Sequence, residues 1–140
     1  MLLWLVRHGL GGQIGDGRQF VSWIHQDDFV RSVYWLIKRE GYEGVINLAS
    51  PNPVTNAKFM RALRDAWGIR LGLPAAKWML EIGTFLMRSE SELVLKSRRV
   101  VPGRLLQDGF TFQFPSWPAA ARDLCRRWRG IAGETTESVA

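Results

Sequence analysis

An arginine and a glutamine in a glycine-rich segment are the residues of this chain best suited to hold a ligand. The segment runs from Gly11 to Asp28 and reads GGQIGDGRQFVSWIHQDD. Arg18 carries a planar guanidinium that can bind phosphate through two hydrogen bonds, and the amide of Gln19 can pair with a sugar hydroxyl. The glycines around them permit positive φ angles and close backbone approach. A loop arginine that only points into water would give the same pattern, so both interpretations stay open.

A tyrosine and a lysine supply a second pattern with possible chemistry. Tyr34-x-x-x-Lys38, with Ser22 upstream of it, matches the catalytic YxxxK pattern of short-chain dehydrogenases. In that chemistry the lysine lowers the pKa of the tyrosine, which then transfers a proton. The alternative is a tyrosine that packs on a helix and a solvated lysine at the end of that helix.

The glycines at the start of the chain form a third pattern. Gly9, Gly12 and Gly15 spell GxxGxxG after an apolar run, as in a strand that leads into a phosphate-binding loop. The helix that should follow such a loop is missing, because the next residues lead into a predicted strand. We therefore interpret the loop as one that faces a substrate, and not as a dinucleotide-binding turn.

His25 and Asp28 are close enough in sequence to suggest an acid–base pair. Asp28 is better explained as the N-terminal cap of a helix, and His25 as a buried, hydrogen-bonded histidine. The chain has two histidines, far apart, and a single cysteine, Cys125. It therefore lacks the usual ligands of a zinc cluster and cannot form an intrachain disulfide.

Apolar spacing predicts the elements that position these groups. Gln19 to His25 alternates as a half-buried strand does, and the next helix covers Asp28 to Lys38 with an apolar stripe. Val45 to Ala49 is predicted to be a short strand, and Thr55 or Asn56 caps a helix that ends at Gly68. The remaining predictions are a helix end over Met1–Arg7, a helix over 75–87, an ambiguous stretch over 93–101, a short helix from Pro102 to Gln107, strand-like alternation at Phe110, Phe112 and Phe114, and a last helix from Pro118 to about Trp128.

The composition is that of a globular protein. The chain has 140 residues, of which 46% are hydrophobic and 23% are charged. The longest apolar run, Leu2 to Val6, is too short to span a bilayer, and its basic residues follow it, unlike those of a signal peptide. We therefore expect a cytoplasmic protein. The net charge of +6 permits an anionic small molecule, RNA, or neither as a partner.

Four segments of the chain, taken in order, resemble segments of a known protein family. They are Gly9 to Asp28, Gly44 to Phe59 (GVINLASPNPVTNAKF), Ser91 to Phe112 (SELVLKSRRVVPGRLLQDGFTF) and Phe114 to Leu124 (FPSWPAAARDL). Together they resemble the C-terminal half of the sugar-nucleotide epimerase-like extended short-chain dehydrogenases. The subgroup is the one that ends in a C-terminal domain of unknown function.

The resemblance implies an α/β fold. It implies the C-terminal part of a doubly wound, Rossmann-like epimerase fold plus a small helix-rich cap domain, with the N-terminal dinucleotide-binding half absent. Residues 1–50 would be a remnant of the Rossmann-like and substrate-cleft region, residues 51–130 the cap domain, and residues 131–140 a disordered tail. The beginning of the chain accordingly looks truncated.

The resemblance also implies a function. Family members would oxidise a sugar carbon by hydride transfer to NAD or NADP and return the hydride to the other face. This chain would supply the substrate contacts for a nucleotide-sugar-like molecule, through Arg18, Gln19, Trp23 and His25. It would contain no catalytic or cofactor-binding residues and be inactive alone, because any catalytic tyrosine–lysine pair would lie upstream of Met1.

Two other functions stay open. The first is a binding module of the same fold, which pairs with a separate dinucleotide-binding domain or with itself; an exposed apolar face on the Asp28–Lys38 helix would favour it. The second is RNA binding through a basic stripe of Arg122, Arg126 and Arg129 in the last helix. A solvated helix face explains that stripe better, since the chain carries no RNA-binding motif.

Overall fold

A computed structural model of the chain describes residues 2–13, 15–69, 72 and 97–137, with side chains to residue 130. Helices predominate, and two short strands join them, so the fold is a small mixed α/β structure. In chain order the elements are α1 (Leu2–Arg7), β1 (Phe20–Val21), α2 (Gln26–Ile37), β2 (Val54–Thr55), α3 (Asn56–Trp67), α4 (Gly103–Gln107) and α5 (Trp117–Glu137). The predicted helix over 75–87 lies outside the described residues.

The core lies where α3 packs against α5. Phe59, Met60 and Leu63 form the buried face of α3, at the helical spacing that the sequence predicts. The indole of Trp117 stacks on the ring of Phe59, with centroids 4.0 Å apart, and its Nε1–H donates to the Phe59 carbonyl. The core also includes residues of α1, of the segment after β1, and of α5: Val6, Trp23, Ala120, Ala121 and Cys125. One core therefore includes residues from both sides of the predicted boundary at residue 50, which stays a prediction.

The sheet is shorter than the sequence predicts. β1 pairs antiparallel with β2, with Phe20 opposite Thr55 and Val21 opposite Val54. The predicted strand from Gln19 to His25 is wrong in length, because its second half bonds other segments: the N–H of Ser50, for example, donates to the Trp23 carbonyl at 2.6 Å.

The predicted strand at Val45–Ala49 is absent from the structure. Its residues have no helix or strand conformation, and Val45 is 86% exposed. No strand in the described part of the chain lies beside this segment to complete a ladder. An apolar strand sequence without a partner strand cannot form regular sheet, because its backbone hydrogen bonds have nowhere to go.

The start of α2 corrects the predicted cap. The N-cap is His25, whose Nδ1 accepts a hydrogen bond from the Asp27 N–H at 3.2 Å. Asp28 lies inside the first turn, and its buried carboxylate accepts the N–H groups of Gln113 and Phe114 at 2.7 and 2.8 Å. Asp28 therefore joins the start of α2 to the segment before α5, and its side chain does not serve as the cap.

The remaining helix signals have mixed outcomes. Gly68 ends α3 in the left-handed conformation, with φ +82°, and the short helix α4 follows Pro102 as predicted. The alternation at Phe110, Phe112 and Phe114 is not a strand in the structure; the rings of Phe110 and Phe112 pack edge to face instead. The last helix begins at Trp117 and runs to Glu137, past its predicted end near Trp128. None of the helices in the described part has the length and apolar character needed to cross a bilayer.

Candidate functional site

The glycine-rich loop is fixed against the start of α3. The carbonyl of Gly17 accepts from the Ala57 N–H at 3.0 Å, and the carbonyl of Gln19 accepts from the Asn56 N–H at 2.8 Å. Gly17 has φ +70°, and a Cβ there would lie 3.0 Å from the Cβ of Ala57, so this position favours glycine on both counts. The loop therefore holds its polar residues in a defined place beside β1.

Arg18 is exposed at the junction of the loop and β1. Its backbone N–H donates to the Asp16 carboxylate at 3.0 Å, which closes a tight turn. The guanidinium has no ion-pair partner among the described residues. An unpaired guanidinium on a fixed backbone is suited to bind an anion.

A distant segment lies along β1 and brings two further arginines to the same edge. The carbonyl of Phe20 accepts from the Arg98 N–H at 3.2 Å, and the Phe20 N–H donates to the Ser97 hydroxyl at 3.1 Å. Arg98 and Arg99 are exposed, and the Arg99 guanidinium carbon lies 5.2 Å from the centroid of the Phe20 ring. We call Arg18, Gln19, Phe20, Arg98 and Arg99 the β1-edge site.

Ser22 fixes the register of that pairing. Its hydroxyl donates to the Arg98 carbonyl at 2.7 Å and accepts from the Val100 N–H at 2.9 Å. These bonds occupy the hydroxyl, while Tyr34 is 63% exposed on α2. The YxxxK pattern therefore describes a surface tyrosine and a serine engaged with backbone.

Trp23 and His25, the other two predicted substrate contacts, are buried. The indole Nε1–H of Trp23 donates to the Asn52 carbonyl at 3.0 Å, and its ring meets that of Trp117 edge to face. His25 is 1% exposed, and its ring stacks on Phe114 with centroids 3.9 Å apart. Both side chains lie under the surface of the described residues, whereas Arg18 is exposed and Gln19 is partly buried; the substrate role of all four stays a prediction.

His25 belongs to a partly buried charge cluster that joins the start of α2 to α5. Its Nε2 lies 3.3 Å from Oδ2 of Asp123, without the alignment of a hydrogen bond. Arg127 pairs with both carboxylates: its Nη atoms lie 3.0 and 2.5 Å from Asp27, and its Nε lies 2.6 Å from Asp123. The cluster ties the first turn of α2 to the middle of α5.

The arginines shift the acidity of this cluster. The hydrogen bond from Arg127 holds the pKa of the Asp27 carboxyl below its ordinary value. Burial raises the pKa of Asp123, but hydrogen bonds and charges from Arg126 and Arg127 outweigh it, so that pKa is also lowered. Both carboxylates are thus held in the charged form.

The same cluster has the residue types of a metal site but not its electrostatics. One ligand atom from each of His25, Asp27 and Asp123 lies within 4.8 Å of the others. Arg127 bonds both carboxylates, so a guanidinium already provides the positive charge that a metal ion would bring. A cation beside it would be repelled. We interpret the cluster as an ion-pair network that links two helices.

The basic stripe of the last helix is partly engaged inside the chain. Arg126 pairs with Asp123 at 2.6 Å, and Arg129 donates to the Trp67 carbonyl at 2.8 Å while its guanidinium lies over the Trp67 ring. Arg122 has no such partner in the described part. Arg126 is therefore paired within α5, and Arg129 holds α5 to the end of α3.

Comparisons with known proteins place the chain among epimerase family proteins. Residues 75–124 match a family described as a domain of unknown function (DUF1731). Epimerase family protein SDR39U1 from Homo sapiens is 32% identical over 118 residues, which is 84% of this chain and 40% of that protein. The chain corresponds to the C-terminal part of the epimerase family proteins. The family resemblance predicted from the four sequence pieces is thereby confirmed.

Bacterial relatives and solved structures extend the same match. An epimerase family protein of Mycobacterium tuberculosis is 37% identical over 106 residues, covering 74% of this chain and 34% of that protein. The crystal structure of human epimerase family protein SDR39U1 (isoform 2) with NADPH matches with a TM-score of 0.76 at 30% identity, over 89% of this chain and 42% of that one. The crystal structure of a nucleoside-diphosphate sugar epimerase from Corynebacterium glutamicum matches with a TM-score of 0.60 at 30% identity, over 86% of this chain and 22% of that one.

The chain spans 40% of the length of the human relative and 34% of that of the mycobacterial one. The α/β fold class is confirmed by the solved neighbours. The human relative was solved with NADPH, and the pattern in this chain that resembles a dinucleotide-binding turn is the GxxGxxG loop. The GxxGxxG loop leads into β1, where a helix N-terminus would be needed to hold the pyrophosphate.

The sequence did not indicate that Arg98 and Arg99 lie beside β1. Arg98 and Arg99 lie far along the chain from β1, and no local pattern links them to it. The apolar alternation around β1 indicated a strand but not which segments would lie on either side of it. The contact of the buried Asp123 with His25 was missed for the same reason, because it joins α5 to the start of α2.

Proposed function

We propose that the chain forms the substrate-side part of an NAD(P)-dependent, sugar-nucleotide epimerase-like oxidoreductase. The observation that carries the proposal is the β1-edge site, where three arginines from two distant segments flank one short strand. Support also comes from the match to a nucleoside-diphosphate sugar epimerase and to a human relative solved with NADPH.

The β1-edge site is suited to a diphosphate. Guanidinium groups bind phosphate oxygens in a planar, bidentate manner, and a diphosphate carries enough charge for more than one of them. Arg18 has its place from the turn with Asp16, and Arg98 and Arg99 have theirs from the pairing with Phe20. We assign the contact with the phosphates to these arginines, and the contact with the sugar to the neighbouring Gln19.

Trp23 and His25 take a supporting role in this proposal. Each lies just beyond β1 and is packed in the interior, so each fixes the backbone that carries Arg18 and Gln19. The cofactor would be held by a dinucleotide-binding domain, since the GxxGxxG loop of this chain leads into a strand and not into the helix that holds a pyrophosphate. We infer that the chain alone does not catalyse turnover.

Titration calorimetry with UDP-glucose, GDP-mannose and NADPH tests the proposal. We expect the two nucleotide sugars to bind the chain. NADPH also carries a diphosphate but lacks the hexose that we assign to Gln19, so it should bind more weakly. Arg18→Ala should weaken nucleotide-sugar binding about five- to tenfold, as for a lost charge-assisted hydrogen bond at an exposed site. Lys38→Ala, an exposed cation at the end of α2, is the matched control and should leave binding unchanged.

Two results would contradict it. One is binding of the nucleotide sugars that Arg18→Ala and Lys38→Ala reduce equally, which would show attraction to net charge alone. The other is reduction of NADP⁺ by the purified chain with a nucleotide sugar, which would place the cofactor chemistry within these residues.

One observation favours a second function, that of an interaction module. The outer face of α2 exposes a row of large apolar side chains, among them Tyr34 and Ile37, which is 73% exposed. Phe29 and Val30 continue the row toward the helix start, and Val45 lies on the unpaired segment that follows. Exposed apolar surface of this extent is typical of an interface.

The occupant that fits this face best is a dinucleotide-binding domain. The relatives are longer than the chain, and the Val45–Ala49 segment, which has no partner strand in the described part, can offer backbone hydrogen bonds to a neighbouring strand. Sedimentation velocity of the purified chain separates the outcomes. Self-association that Ile37→Glu abolishes and Lys38→Glu does not would support an apolar interface, and a monomer at every concentration would contradict self-association.

A further inference from the structure

A groove between α3 and α5 is distinct from the β1-edge site. It has a volume of about 320 Å³ and opens to solvent at the end of α5 that carries Trp117. Its lining comes from β2, α3 and α5: Val54, Lys58, Arg61, Ala62, Asp65, Ala66, Trp117, Pro118 and Arg122. None of the residues of the β1-edge site lines it.

Small side chains create the groove. Ala62 and Ala66 are one helical turn apart on α3 and lie on the same face, so no side chain fills the space between the helices. Val54, Pro118 and the edge of Trp117 complete an apolar floor. The indole of Trp117 cannot move away, because it stacks on Phe59 and donates to its carbonyl.

Three cations surround that floor. Lys58 and Arg61 come from α3 and Arg122 comes from α5, against a single acidic residue, Asp65. None of the three has an ion pair or hydrogen bond within the described part of the chain. Other arginines of α5 differ in this respect, since Arg127, for example, pairs with two carboxylates.

The helix dipole adds to this positive field. Trp117 is the first residue of α5 and Pro118 the second, so the N-terminal end of a 21-residue helix faces the groove. That end carries a partial positive charge. An anion in the groove would meet free cations and the helix end, and any apolar part of the same molecule would contact the floor.

We propose that this groove binds a small organic phosphate that carries a flat apolar group. The phosphate would lie among Lys58, Arg61 and Arg122, and the apolar group against Ala62, Ala66 and the edge of Trp117. A volume of about 320 Å³ is at the small end of ligand pockets, which fits a ligand no larger than a mononucleotide. The site would be independent of the proposed epimerase function.

An NMR titration of the isotope-labelled full chain with phenyl phosphate tests this directly, with inorganic phosphate and phenol as the two halves of the probe. We expect saturable shifts of the Trp117 indole N–H and of α3 amides from 58 to 66. Phenyl phosphate should bind at least about tenfold more tightly than either half, since both contacts act together.

Variants separate the contribution of the charged contacts from that of the apolar floor. Arg61→Ala with Arg122→Ala should weaken binding about tenfold, because two exposed charge contacts are lost. Ala62→Leu should remove binding by filling the floor, and Lys38→Ala is the matched cation control that should bind as the parent does.

Three outcomes would overturn the proposal. Inorganic phosphate binding as tightly as phenyl phosphate would show a charged patch without an apolar subsite. Absence of saturable shifts would show no site. Binding that survives Ala62→Leu but is lost in Arg18→Ala would place the ligand at the β1-edge site instead.

Discussion

Replacing Asp28 with alanine is expected to destabilise the protein more than any surface substitution in this chain. The Asp28 carboxylate is fully buried and accepts the N–H groups of Gln113 and Phe114 at 2.7 and 2.8 Å. It also pairs with Arg31 at 2.9 Å, but that guanidinium is partly exposed and adds little. The loss would separate the start of α2 from the segment that leads into α5.

The magnitude follows from the two N–H groups that would lose their acceptor. Each buried donor left unsatisfied costs about 1–3 kcal/mol, so the two together should lower the free energy of unfolding of Asp28→Ala by about 2–6 kcal/mol. Asp28→Asn keeps one acceptor oxygen and turns an amide toward the other N–H, so about half of that loss is expected. Asp65→Asn, at an exposed carboxylate of α3, is the matched control and should change stability by less than about 0.5 kcal/mol.

Urea unfolding followed by tryptophan fluorescence measures these differences, since the chain has seven tryptophans. The expected order of loss is Asp28→Ala, then Asp28→Asn, then the control. If Asp28→Ala does not fold, Asp28→Asn still reports the size of the effect. Equal stability of Asp28→Ala and the control would refute the role of this carboxylate as the link between the two segments.

Three further predictions concern other parts of the structure. The hydrogen bond from Arg127 lowers the pKa of Asp27 below its ordinary 3.8, so the ion pair stabilises the fold above that pH and loses this effect as the pH falls through the lowered folded-state pKa. The urea midpoint should therefore fall less between about pH 6 and about pH 3 in Arg127→Ala than in the parent. Parallel curves for the two proteins would contradict this. Burial raises the pKa of the Cys125 thiol, so a thiol reagent should label it slowly in the folded protein and fast in urea, whereas equally fast labelling would show an open core. Gly17→Ala should destabilise the protein by about 1–3 kcal/mol, because the position has a positive φ and a close contact with α3. This loss of stability should exceed that of Gly15→Ala, where φ is also positive but the surrounding space is open. Equal losses would show that only the backbone conformation matters.

The sequence predicts the elements whose stability is local. The apolar spacing around Phe59 and Leu63 determines the buried face of α3, and Gly68 supplies the left-handed residue that ends it. The start of α4 after Pro102 also depends on the local sequence, because proline suits the beginning of a helix. In each case the residues that determine the element lie within it or next to it.

The parts that the sequence could not predict depend on distant partners. The segment Val45–Ala49 has a strand pattern, but a pattern does not provide the neighbouring strand that a ladder needs. Arg98 reaches β1, and Asp123 reaches His25, through contacts between residues far apart in the chain. Asp28 is a further example, because a carboxylate near a helix start predicts a cap, while its actual acceptor role depends on Gln113.

Hydrogen exchange of the full chain with and without UDP-glucose tests the central claim most directly. The proposal that the β1-edge site holds a nucleotide sugar predicts slower exchange of amides in residues 17–22 and 97–101 when the ligand is present. Amides of the last turns of α2 serve as the internal control and should not change. Slower exchange around the groove alone, or no change at the β1 edge at saturating ligand, would contradict the account.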